Sequence, residues 1–147
     1  MKYYVGSDHA GFAVKGLVVE MLKNRGHDVE DMGPDTDERV DYPDYAEKVA
    51  RAVAAEKGSR GVLICGTGLG MSIAANKIDG IRAAHCQDFY TAQMARAHND
   101  ANILCFGERV SGVGVIESMI HAFDTTPFEG GRHEGRVEKI MALEKRD

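Results

Sequence analysis

The chain predicts an α/β fold, a five-stranded parallel sheet with helices on both faces. Three observations predict it. Short apolar runs alternate with longer amphipathic stretches along the chain. The third apolar run, RGVLICG (60–66), is apolar through Val62, Leu63 and Ile64, as a strand covered on both faces requires. No internal repeat, low-complexity tract or linker interrupts the 147 residues, so they read as one domain over 1–147.

The elements follow in order. KYYVG (2–6) is the first strand. A helix over 12–24 sets Val14, Leu17, Val18, Met21 and Leu22 on one stripe, and Gly26 offers its stop. HDVEDM (27–32) is a strand of low apolar content. GPDTDERVDYPDY (33–45) is the longest loop, of the kind that often lines a site. Ala46, Val49, Ala50 and Val53 repeat at helical spacing within 44–57. Strand 60–66 leads into a glycine loop and a further helical stretch. IRAAHC (81–86) and NILCFG (102–107) complete the sheet. A helix over 88–98 starts from Asp88 as N-cap. One over 111–123 starts from Ser111 and carries Val115, Ile116, Met119, Ile120 and Phe123. The last, about 132–145, turns Val137, Ile140 and Met141 inward.

Composition narrows the function. The formal net charge of −5 argues against non-specific nucleic-acid binding. The start MKYYVGSDHAGF lacks the apolar region of a leader, and no run reaches membrane-spanning length, so the expected setting is the cytoplasm with no membrane partner. Three cysteines, Cys65, Cys86 and Cys105, are odd in number and widely spaced, which argues against a disulfide framework and a structural zinc site.

Ligands of an open parallel sheet gather beyond the carboxyl ends of its strands. Asp8 and His9 follow the first strand, Cys65 to Gly70 the third, and Arg109 the fifth. The loop CGTGLGMSIAANK (65–77) fits neither common nucleotide motif. Met71 stands where a dinucleotide fingerprint needs its third glycine, and Lys77 lies too far along for a Walker loop. Met71 also stands where a cysteine phosphatase loop needs arginine. Glycines at 66, 68 and 70 still let backbone N–H groups converge, and the following helix aims its positive end at the same place. Two readings stand side by side: a thiolate beside an oxyanion hole, or a small buried cysteine before a tight turn.

GSDHAGF (6–12), DYPDYA (41–46), the loop 65–77, AHND (97–100), FGERV (106–110) and EGGRHEGR (129–136) together resemble the ribose-5-phosphate isomerase B family of sugar-phosphate isomerases, over nearly the whole chain. The resemblance implies a Rossmann-like α/β/α sandwich and a homodimer, sometimes a dimer of dimers, with active sites shared between subunits. The last helix would contribute to that shared site. The resemblance implies interconversion of ribose 5-phosphate and ribulose 5-phosphate with neither metal nor organic cofactor. Cys65 then matches the family's proton-abstracting base and His98 its ring-opening residue. Asp8, His9, Gly66, Thr67, Gly68, Leu69, Gly70, Asn99, Arg109, Arg132 and Arg136 match its ligand contacts, and Tyr42 a tyrosine near the sugar. One branch replaces the cysteine and puts a glutamate where Met71 stands, so this chain resembles the cysteine branch. The intact His-Asn pair and GGRH…R segment favour a pentose over galactose 6-phosphate. Allose 6-phosphate and tetrose 4-phosphates stay open, as does a non-catalytic sugar-phosphate sensor.

The residue types suit that chemistry. Moving a proton from C2 to C1 through an enediolate needs a base at carbon, donors at oxygen and a phosphate grip. Cys65 is the candidate base and the Gly66–Gly70 amides the donors. Thr67 either relays a proton between sugar oxygens or holds the loop. His98 can give and take a proton near neutral pH. Arg132 and Arg136, four apart on one helix, could grip phosphate with Arg109 and His9. Asp8 binds a sugar hydroxyl or orients His98. His133 neighbours the site, and His27, His85 and His121 read as surface or packing positions.

Overall fold

The computed structural model describes residues 1–145; the last two residues of the expected 1–147 unit lie outside the described residues. Five parallel strands, β1 (Lys2–Ser7), β2 (Asp28–Asp31), β3 (Arg60–Cys65), β4 (Ala83–His85) and β5 (Ile103–Gly107), pair in the order β2-β1-β3-β5-β4. Six helices accompany them: α1 (Phe12–Asn24), α2 (Tyr42–Ala55), α3 (Leu69–Ala75), α4 (Phe89–Asn99), α5 (Val113–Thr125) and α6 (Arg132–Ala142). The predicted α/β class is the observed one. No helix among the described residues is long and apolar enough to cross a membrane.

Alternation along the central strands sorts the core into two layers, because successive strand side chains point to opposite faces. Val62, Ile64, Leu104 and Phe106 meet α1, α4 and α5 through Val18, Leu22, Ala92, Ile116 and Phe123. Leu63, Cys65, Ile103 and Cys105 meet α2 and α3 through Val49, Val53, Met71 and Ala75. This is why β3 carries no polar residue between Val62 and Cys65. Truncating Leu63, fully buried, to alanine would cost roughly 2–5 kcal/mol. The edge strand β2 is mostly exposed and carries Asp28, Glu30 and Asp31, charges that discourage pairing with another sheet.

Four expectations need correction. The buried stripe of α1 is Val14, Lys15, Val18, Val19 and Leu22, while Leu17 is exposed. Lys15 enters the stripe because its ammonium reaches both oxygens of Asp31 at 2.7 Å. Ser111 does not cap α5: the chain first turns after β5, with the Val110 and Ser111 amides donating to Gly107 O, and Gly112 is the cap residue. Ile140 on α6 is exposed and Val137 and Met141 are half-buried, so the apolar side of α6 is not inward; His133 is its buried residue. His27 is not a surface group, its side chain being 13% exposed.

His27 belongs to a polar cluster at the amino end of the sheet. Asp124 of α5 accepts from Tyr3 Oη at 2.9 Å and Arg25 Nε at 2.7 Å, and lies 2.7 Å from His27 Nε2. Burial alone would raise the Asp124 carboxyl; hydrogen bonds from His27, Arg25 and Tyr3 outweigh it and hold the group below its usual range. Arg60 Nη1 adds a bond to Phe123 O at 2.7 Å. The cluster fastens β1 and β3 to the end of α5.

The sheet order has its reversal between β1 and β3: the chain moves outward to β2, then crosses to the other side. A crevice at the carboxyl ends there is the usual ligand position for such a sheet. Asp8 and Cys65 stand at those two strand ends.

Candidate active site

At the end of β3, Cys65 is buried, 6% exposed, and the Gly68 amide donates to its Sγ at 3.0 Å. The loop can close so tightly because Gly68 holds φ +84°, where a side chain is strained, and a Cβ there would stand 2.7 Å from the Phe106 backbone. Gly107 of β5 is equally confined, for its Cβ would meet Thr67 Cα at 2.5 Å. The two strand ends thus touch backbone to backbone. Glu108 N donates to Cys65 O at 2.9 Å and Arg109 N to Gly66 O at 3.1 Å, tying the segment after β5 to the loop.

The remaining predicted residues on this side converge on the loop. The Arg109 guanidinium lies over Gly66, within 3.2 Å of where a Cβ would be. The Tyr42 ring lies against Gly70, leaving no room there for a side chain. Thr67 Oγ1 accepts the Leu69 amide at 3.2 Å, the local bond of the loop-holding reading. Leu69 itself is exposed and opens α3. Asp8 is buried and caps the turn after β1, its Oδ1 accepting the Gly11 amide at 3.1 Å, which leaves Oδ2 without a protein donor among the described residues. His9 Nδ1 accepts the Val40 amide at 3.2 Å, so the loop 33–41 is pinned beside β1 and Nε2 carries the ring proton.

A second group forms elsewhere. His98 and Asn99 end α4, and Arg132 and Arg136 lie exposed on α6. No hydrogen bond, ion pair or ring contact joins this group to the Cys65 loop among the described residues. The sequence prediction therefore resolves into two clusters within one chain. A groove of about 780 Å³ runs between the β4 edge, α4 and the end of α6; Asn99 is the one predicted residue that lines it.

Three residues beyond the predicted set shape these clusters. His85, expected to be packing, has Nε2 at 2.9 Å from Thr67 O, bracing the loop from β4. Glu108 Oε1 accepts the Val14 amide at 2.9 Å, joining the β5 loop to the start of α1. Glu129 binds the end of α4 through its amide, which donates to Ala97 O at 3.0 Å. The segment EGGRHEGR contains Glu129 and His133 four apart, and that spacing was the available signal.

The sequence profile of the Ribose/Galactose Isomerase family matches residues 3–140. Ribose-5-phosphate isomerase B of Escherichia coli is 50% identical over 145 residues, covering 99% of this chain and 97% of that protein. The structure of Clostridium thermocellum ribose-5-phosphate isomerase B superimposes with a TM-score of 0.96 at 51% identity, over 99% of this chain and 98% of that one. That of Mycoplasma genitalium ribose-5-phosphate isomerase B, solved with bound ribulose-5-phosphate, gives 0.95 at 39% identity, over 99% and 97%.

Proposed function

Because the chain belongs to the Ribose/Galactose Isomerase family, we propose that the sugar phosphates it interconverts are ribose 5-phosphate and ribulose 5-phosphate. It is an aldose–ketose isomerase. The observation that carries the mechanistic reading is the Cys65 loop: a buried sulfur at a strand end, with the Gly68 amide directed at it and the Arg109 guanidinium over the adjoining glycine.

The reaction begins with ring opening by His98. Cys65 as thiolate takes the C2 proton of the open aldose and returns it to C1. The Gly68 amide gives the thiolate's charge a donor before the first transfer and after the second. Loop amides from Gly66 to Gly70 meet the enediolate oxygen, where donors fixed in advance lower the barrier most. Thr67 either relays the hydroxyl proton or keeps the loop in shape. Asp8 Oδ2, Tyr42 and Asn99 bind sugar hydroxyls. The phosphate dianion is gripped by Arg109, Arg132 and Arg136, with His9 Nε2 as a further donor. The transfers move protons only and consume no redox equivalent, so the scheme needs no cofactor.

Two protomers make each site in this reading. One supplies Cys65, Asp8, His9 and the glycine loop. The other supplies His98, Asn99, Arg132 and Arg136. Support comes from the separation of the two clusters within one chain and from the exposed Ile140 and Leu143 beside the arginines.

The test is conversion of ribose 5-phosphate by purified protein in excess chelator, beside Cys65→Ala. Wild-type turnover that falls about 10²–10⁴-fold in the variant, the usual contribution of a positioned base, is expected. Absence of wild-type turnover, with activity on a hexose or tetrose phosphate instead, would overturn the substrate assignment.

A further inference from the structure

Granted the ring-opening role of His98, we propose that His133 and Glu129 are positioning residues that hold the His98 imidazole at one orientation for proton transfer between the two sugar oxygens of ring opening. The His133 ring lies face to face with that of His98, centroids 4.1 Å apart and planes 12° from parallel. His133 is buried, 6% exposed, whereas the His98 side chain is 37% exposed. A fixed ring therefore backs a free one. Glu129 closes the arrangement, its Oε1 standing 3.4 Å from His133 Nε2 and 3.9 Å from His98 Nε2.

The backbone explains why these side chains meet. The Glu129 amide donates to Ala97 O, one residue before His98. Gly130 and Gly131 follow with φ +67° and +54°, conformations that reverse the chain and that side chains rarely adopt. The reversal starts α6, and His133 N donates to Gly130 O at 3.0 Å in its first turn. EGGRH is thus a bracket that returns an imidazole onto the end of α4.

The charges around the pair fit a proton-sharing role. Burial, then the neighbouring His98 and Arg132, hold His133 below the usual histidine range; Glu129 pulls the other way and Arg136 adds to the lowering. The lowering disfavours a protonated His133, and with it two stacked imidazolium ions. A cation clasped by the two histidines and Glu129 is a poorer fit, although their ligand atoms lie within 4.8 Å of one another. Nearly parallel rings project their in-plane lone pairs along parallel lines, which do not converge on one ion.

The chemistry needs such a brace. As the C1–O4 bond breaks, its electron pair goes to O4, which takes a proton, while O1 loses one and becomes the carbonyl. An imidazole can serve both oxygens only if its edge stays between them. Misplacement of a reacting group by an ångström costs on the order of 100-fold.

Ribulose 5-phosphate has no free 5-hydroxyl and stays open-chain, which separates the two steps. Enediolate formation from it needs the base but no ring opening, and it is read as solvent deuterium entering C1. His133→Ala should slow ribose 5-phosphate turnover about 10- to 100-fold and leave deuterium entry into ribulose 5-phosphate near the wild-type rate. His133→Phe, which keeps the stacking face, should recover most of the loss, and Glu129→Gln should show the same split more weakly. Equal loss of both readouts in His133→Ala, or loss of neither, overturns the proposal. His98→Asn alongside separates the premise from the inference. If that variant itself keeps ribose 5-phosphate turnover, the ring-opening role falls; if it loses turnover and His133→Ala does not, only the positioning role falls.

Discussion

The loop after β3 and the corner where α6 meets α4 both hold residues of the predicted site, yet they are built in opposite ways. Backbone makes the first. Cys65, Gly66, Gly68 and Gly107 touch through main-chain atoms, and no side chain could be inserted at Gly68 or Gly107 without a clash. Side chains make the second. Arg132 and Arg136 stand exposed on a helix whose one buried residue is His133. The loop is finished by its own chain, whereas the corner presents cations outward. A catalyst that must stabilise an enediolate needs fixed dipoles, and one that must take up a mobile phosphate can use long, flexible arms.

The sharpest way to break this contrast is to separate its halves into different chains. Cys65→Ala and His98→Asn should each be nearly inactive alone. Mixed in equal amounts after dissociation and reassembly, they should regain about a quarter of wild-type activity if the sites are shared across a dimer as proposed, because half the dimers would then be hybrids with one intact site of two. No recovery would mean that both residues act within one protomer. Next in size, Arg132→Ala and Arg136→Ala should each raise KM for the sugar phosphate about 10- to 100-fold, the loss of a charge-assisted bond, with a smaller change in kcat. A fall in kcat alone would count against their role as phosphate arms.

Stability sharpens the contrast further. Gly68→Ala meets both a left-handed backbone and the Phe106 main chain, and should cost about 2–4 kcal/mol in chemical denaturation. Gly130→Ala has the same sign of φ but open space around it, so only the backbone term applies, about 1 kcal/mol. Equal losses at the two positions would show that the loop is no more confined than the corner.

The sheet and most helices were legible because their signals are local and repeated. The bounds of α1 and the Asp88 cap of α4, with its reciprocal bond from Thr91, are as the sequence predicts. The misreadings share a cause. Ser111 has the chemistry of a cap, but the turn that follows β5 moves the helix start past it. Ile140 has the spacing of a core residue, but α6 lies outside the two sheet layers. Leu17 lost its place to Lys15 because a distant Asp31 satisfies the ammonium. At the site, Cys65 and the glycines could be identified from their spacing, and the family resemblance supplied His98 and the arginines. His85 and Glu108 act by reaching elements far along the chain, and no pattern within their own segments announces that; Glu129 is marked only by its four-residue spacing from His133.

The polar cluster at the amino end has a consequence for how this chain can change over generations. Tyr3, Arg25, His27 and Asp124 join β1 to α5 at the end of the sheet opposite Cys65, and none of them touches a residue of either half of the site. Substitutions there alter the reserve of stability without altering a reacting atom. A sequence so arranged can accumulate gains at one end of its strands and use them to tolerate new, strained loops at the other, so that substrate preference drifts while the sheet stays folded.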